Sequence, residues 1–157
     1  MAAGAISKAT TNGTDNTPTT KPIELAITLP QSPGLRIHIH LTILATSLLL
    51  FLTSSDIGSG SRNGAAMGSL VYAMPDRYNP TQPLSTSLYN LPASLDFTTR
   101  MAKVLVRRTQ KLCYVGGSVN LSNSAGGGSV EEEMEAFRAV VDVVVAEVGR
   151  VESGSVV

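Results

Sequence analysis

The chain has 157 residues, of which 43% are hydrophobic and 15% charged; that is the size of one domain and a charge content below the roughly 25% of an average soluble protein. Twelve Lys and Arg balance twelve Asp and Glu, which speaks against nucleic acid as the main partner, because phosphate neutralisation needs a cationic excess. One cysteine, Cys113, excludes an intrachain disulfide framework.

Residues 1–34 are expected to form a disordered tail. Small polar residues dominate there, and Pro18, Pro22, Pro30 and Pro33 break up the one short apolar piece, Ile23 to Leu29. Met1 to Pro22 lacks the apolar core of a signal peptide. The glycosylation patterns Asn12-Gly13-Thr14 and Asn120-Leu121-Ser122 have no meaning without secretion. The greasiest run, Ile37 to Thr53, is shorter than the roughly 20 residues of a spanning helix. A soluble protein of the cytosol or nucleus is expected, with one folded domain over 35–149 and a frayed end over 150–157.

Arg36 to Leu44 alternates, with Ile37, Ile39, Leu41 and Ile43 opposed to Arg36, His38, His40 and Thr42; this predicts a half-buried strand. Ser47 to Thr53 is apolar on both faces: Leu48, Leu50 and Leu52 on one, Leu49 and Phe51 on the other. Leu70 to Met74 repeats this, with Leu70, Tyr72 and Met74 against Val71 and Ala73. Helices can cover one face of such a sheet, and a partner subunit is the simplest cover for the second. Asp56–Gly68 reads as a flexible Gly/Ser loop and Pro75–Pro83 as a second loop, followed by a weakly alternating strand over Leu84–Tyr89.

A first helix is predicted to start at Ser94 or Asp96, both good N-caps, with Phe97, Met101, Val104 and Leu105 on its apolar face. Arg100, Lys103, Arg107, Arg108 and Lys111 gather toward its C-terminal end, where cations suit the macrodipole. Leu112 to Leu121 is a predicted strand, whose Gly116-Gly117 pair points to a bulge or a close backbone approach. After a loop over Ser122–Gly128, Ser129-Val130-Glu131-Glu132 forms a capping box for a second helix ending at Gly149. Val130, Met134, Phe137, Val141, Val144 and Val148 form its apolar stripe. The order ββββ–α–β–α with short connections predicts an α+β fold: a single antiparallel β-sheet with two α-helices packed on one face.

No catalytic constellation emerges, so no enzyme and no cofactor are expected. His38 and His40 could share a metal from one strand face, but zinc wants three or four protein ligands and no third His or paired Cys exists. Cys113 has no histidine near it in sequence and reads as a small buried strand residue. The acids Glu131, Glu132, Glu133 and Glu135 are explained by their place at a capped helix start. Neither Gly58-Ser59-Gly60 nor Gly126-Gly127-Gly128 has the register of a phosphate loop. The basic end of the first helix supports an alternative, a small αβ nucleic-acid-binding domain, although no RNP-like strand, Gly-X-X-Gly loop or aromatic interleaving accompanies it.

The pieces Val71-Tyr72-Ala73-Met74, Arg77-Tyr78, Leu84-Ser85-Thr86-Ser87-Leu88, the run Ala102 to Lys111 leading into the strand Leu112–Leu121, and Glu132-Glu133-Met134-Glu135-Ala136-Phe137 together resemble the proteasome assembly chaperone 4 family, in order and spacing. The resemblance implies one antiparallel sheet on two helices and sheet-to-sheet heterodimerisation with a sister subunit, assembly chaperone 3. It further implies a non-catalytic, ATP-independent chaperone that helps build the α-ring of the proteasome core particle, holds an α subunit described as α5, and leaves before the particle matures. The long polar N-terminus, the Asp56–Gly68 loop, Gly116-Gly117 and the extension beyond Phe137 depart from the family pattern, and no motif residue carries over as an α-subunit contact. The expected partner surfaces are therefore the sheet face away from the helices, drawn from Leu48, Leu50, Leu52, Leu70, Tyr72 and Met74, and polar rims including Arg107, Arg108 and Lys111.

Overall fold

The computed structural model describes residues 21–58, 67–119, 121 and 129–154. The start of the expected tail, most of the Gly/Ser loop, the Ser122–Gly128 loop, the central residues of the two glycine-rich candidates and the last three residues lie outside them. The elements in chain order are β1 (Ile23–Leu29), β2 (Ser32–Ile43), β3 (Ser47–Asp56), β4 (Ser69–Met74), β5 (Leu84–Tyr89), α1 (Pro92–Thr109), β6 (Leu112–Ser118) and α2 (Val130–Gly154).

β1 corrects the expectation that everything before residue 35 is tail. Ile23, Leu25 and Ile27 alternate with exposed Glu24, Ala26 and Thr28, and the strand pairs antiparallel with β2, from Ile23 opposite Leu41 to Ile27 opposite Ile37. Pro22 and Pro30 flank it, which an edge strand tolerates because proline only forbids a ladder position.

The six strands form one sheet in the order β1-β2-β3-β6-β4-β5. It is mixed, not wholly antiparallel: β3 and β6 run parallel, from Ser47 opposite Leu112 to Thr53 opposite Ser118. The remaining pairs are antiparallel. β6 follows α1, so the chain crosses over the helix layer and returns in the middle of the sheet, where a parallel neighbour is the natural result. Both helices lie on one face. α1 packs on β4 and β6, and α2 on β1 and β2.

α1 begins earlier than either expected cap. Pro92 stands at its first positions, and Leu91 caps it without a side-chain bond; proline's fixed φ suits that place. Ser94 is buried inside the helix and serves a different partner. The Ser69 N–H donates to Ser94 Oγ at 3.0 Å, Ser69 Oγ donates to the Leu91 carbonyl at 2.9 Å, and the Leu91 N–H donates to Ser69 Oγ at 2.9 Å. Two serines thus clamp the start of α1 to the start of β4. At its far end Gln110 adopts φ 56° and its N–H donates to the Val106 carbonyl, stopping the helix.

α2 starts as expected. The Glu132 N–H donates to Ser129 Oγ at 3.2 Å, and three glutamates occupy the first turn. It does not end at Gly149 but continues to Gly154. Its buried residues are Ala136, Val140, Val141, Val144 and Val148, whereas Val130 and Met134 are exposed. The apolar stripe therefore enters the core only from Ala136 onward.

Candidate functional site: two bare surfaces of a sheet and its helices

The glycine pair in β6 shows which residues share which face. A Cβ on Gly116 would stand 2.5 Å from the Phe51 ring and 3.7 Å from Leu70, while one on Gly117 would stand 2.4 Å from Thr98 Oγ1 on α1. Gly116, Phe51 and Leu70 therefore lie on the open face, and Gly117 lies under the helix. The pair marks a close approach on both sides; the sheet's register shifts fall elsewhere, at Thr28/Leu29 and Leu70/Val71.

This assignment corrects half of the expected sheet surface. Leu48, Leu50 and Leu52 alternate with Phe51 and are 0–1% exposed, so they point into the core beneath the helices and are out of reach of a partner on the other face. The apolar residues that β3 presents openly are Leu49 and Phe51, both half-buried. Sequence could not separate the two sets, because both alternating faces of β3 are apolar. In β4 the expected residues do stand on the open face: Leu70, Tyr72 and Met74 are half-buried there, while Val71 and Ala73 are fully buried beneath the helices.

The open face has an apolar centre and polar flanks. Tyr72 lies opposite Tyr114 of β6, with ring centroids 4.8 Å apart and tilted 44°. Leu49 is the β3 neighbour of Tyr114; the two complete the patch, and of them only Tyr114 has no place in the expectation from sequence. On the β5 side Leu84 and Tyr89 are about half exposed, opposite Met74 and Leu70. On the β2 side stand His38 and His40. His38 Nε2 lies 2.8 Å from Ser55 Oγ, and the His40 ring lies beside Phe51 and 4.0 Å from Glu24. Among the described residues no group of three His, Cys, Asp or Glu could hold a metal ion.

Cys113 sits on the helix side of β6, fully buried. Burial pushes its thiol from 9.0 up to about 12, only partly offset by a hydrogen bond to Thr109. The thiolate needed for nucleophilic work is thus strongly disfavoured.

The basic residues of α1 and of the turn that follows it divide into three roles. Lys111, only 12% exposed, donates to the Leu44 and Ala45 carbonyls at 3.4 and 2.7 Å and pairs with Glu152 at 3.3 Å. It ties the β2–β3 turn to the end of α2 and is not a free rim charge. Arg100 pairs with Asp96 at 3.0 Å and with Glu133, and stands 5.9 Å over the Phe137 ring. Arg107 and Arg108 occupy the last turn of α1 and are exposed. Lys103 and Arg107 line two adjoining clefts. One, of about 520 Å³, is bounded by Asn79, Thr81 and Gln82 of the β4–β5 loop. The other, of about 420 Å³, lies between α1 and α2 over Val104, Met134 and Phe137. No helix among the described residues is long and apolar enough to cross a membrane.

Known proteins add the family. No curated protein matches the chain. Among solved structures, a chain of the crystal structure of a novel chaperone complex for yeast 20S proteasome assembly has the same fold: TM-score 0.61 at 17% identity, covering 82% of this chain and 98% of that one. The family model described as proteasome assembly chaperone 4 matches residues 36–119, just over half of the chain, from Arg36 in β2 to Val119 beyond β6. With that match spanning the open-faced sheet from β2 onward and the whole of α1, the chain belongs to the proteasome assembly chaperone 4 family.

Proposed function

We propose that this protein is a non-catalytic chaperone subunit that promotes assembly of the α-ring of the proteasome core particle, as a heterodimer with assembly chaperone 3. The observation that carries this reading, beside the family, is the open sheet face. Leu49, Phe51, Leu70, Tyr72, Met74 and Tyr114 form an apolar patch, and no second layer lies over it among the described residues. A second sheet packs on such a face at about 10 Å, and a patch of this kind marks an interaction site. A two-layer domain with one bare sheet becomes a sandwich when its sister supplies another.

The heterodimer binds an α subunit, proteasome subunit α5, through polar rims that include Arg107 and Arg108, and leaves before maturation. It works in the cytosol or nucleus. Affinity purification of the tagged protein tests the reading. Assembly chaperone 3 and immature α subunits are expected in the eluate, and the Tyr72→Asp variant is expected to lose both. An eluate with neither protein would overturn the proposal.

A further inference from the structure

The helix layer has its own unpartnered surface, on the opposite side of the molecule from the bare sheet. α1 presents Arg100, Lys103, Val104 and Arg107 at i, i+3, i+4 and i+7, one face of a helix. α2 presents Met134, Phe137 and Arg138 in the same way. Between them lies the cleft of about 420 Å³, within the roughly 300–1,000 Å³ of sites that take small groups. Its floor is apolar: Val104 and Phe137 are half-buried and Met134 is 45% exposed. The stripe of α2 leaves the core at this point, so Met134 keeps exposed apolar surface.

The rim is cationic. Arg100 is neutralised by Asp96 and Glu133, but among the described residues no ion pair takes Lys103, Arg107 or Arg138. Three cations without an ion pair thus ring an apolar floor. The neighbouring cleft repeats the pattern with hydrogen-bonding groups. Asn79, Thr81 and Gln82 face Lys103 and Arg107 there, and its one acid, Asp76, already accepts the Tyr78 N–H at 2.9 Å. A chain crossing α1 would meet Lys103 and Arg107 from both sides.

From this we infer that the α1–α2 groove docks an acidic peptide segment of a protein partner, with one large apolar side chain seated on Val104, Met134 and Phe137 and flanking carboxylates on Lys103, Arg107 and Arg138. Charge complementarity selects the occupant, and a floor whose one aromatic ring is already engaged selects a peptide over a nucleic acid. Nucleobases need exposed aromatic faces to stack on, whereas the Phe137 ring is engaged edge-on by Phe97 at 5.6 Å and covered by Arg100. The inference deepens the α-subunit half of the proposed function, since this groove stays open when the sheet face is covered.

The test uses the full chain and a fluorescent nonapeptide of glutamates with one central leucine. Binding should be saturable and should weaken with salt. Replacing the leucine by serine should weaken it about fivefold, roughly the worth of one buried apolar side chain on an open floor. Lys103→Glu with Arg107→Glu should weaken it at least about tenfold, as reversed charges at a rim do, with unchanged thermal unfolding. No binding up to millimolar peptide overturns the inference. So does equal binding of the serine peptide, or tighter and equally salt-sensitive binding of a single-stranded oligonucleotide. A second arm separates the two proposals: the charge-reversed variant should still purify with assembly chaperone 3 but without α subunits. If the peptide binds as described and α subunits are retained, the groove serves another acidic partner, and the proposed α-subunit contact alone fails.

Discussion

The two faces of the sheet are made from the same strands and obey different rules. On the helix side, Leu48, Leu50, Leu52, Val71, Ala73, Cys113 and Val115 are all 0–1% exposed, and Gly117 is needed because Thr98 approaches so closely. On the open side, Leu49, Phe51, Leu70, Tyr72, Met74 and Tyr114 are only half-buried, shielded by one another and, among the described residues, by nothing above. The first face is finished within the chain. The second is left open among the described residues, and the proposed partner would cover it. Substitution should therefore damage folding on one side and association on the other.

The largest effect should come from Leu50→Asp, which places an unpaired charge in the core. We expect a loss of at least about 4 kcal/mol, read as an unfolded or aggregated protein by circular dichroism. Tyr72→Asp, two strands away on the other face, should leave the thermal midpoint nearly unchanged yet abolish co-purification with the sister subunit. If both variants unfold alike, the contrast between the faces is broken. Gly117→Ala should cost about 1–3 kcal/mol through overpacking against Thr98; in chemical denaturation, Thr98→Ala should relieve a large part of that cost. Ser94→Ala should cost about 1–2 kcal/mol, because the buried Ser69 N–H loses its acceptor. The smallest effect is a pH dependence from Cys113. Its folded pKa, about 12, lies above the ordinary 9.0, so the unfolded chain ionises first. Its contribution is intact below pH 9 and is lost as pH rises toward 12, with a limiting slope of about 1.4 kcal/mol per pH unit. Cys113→Ala should remove this alkaline slope from the stability curve.

Periodicity was strong enough to reveal most strands and both helices, but it describes one segment at a time. β1 had a clean alternation, Ile23, Leu25 and Ile27 against Glu24, Ala26 and Thr28; the surrounding prolines concealed it, although they only bound an edge strand. The parallel pairing of β3 with β6 left no local trace, because which strands become neighbours depends on contacts more than 50 residues apart. The same limit explains the misplaced half of the candidate surface. A strand apolar on both faces carries no mark of which face is inside, and only Gly116 under Phe51 and Gly117 under Thr98 break the tie. The groove between the helices was partly legible in its cations. Its floor was not, since Met134 reads as core until the helix is seen to outrun the sheet.

The central position of β6 has a consequence for the order in which the chain can be completed. β1, β2 and β3 form a meander of neighbours, and β4 with β5 forms a hairpin; each can assemble from local contacts as it leaves the ribosome. Nothing in the sheet joins the two pieces except β6, which bonds β3 on one side and β4 on the other. Until residues 112–118 arrive, the nascent chain holds two half-sheets with open inner edges, the state most prone to pairing with the wrong strand. Insertion of this last strand is a long-range, slow step. The sheet is thus closed by a single late keystone.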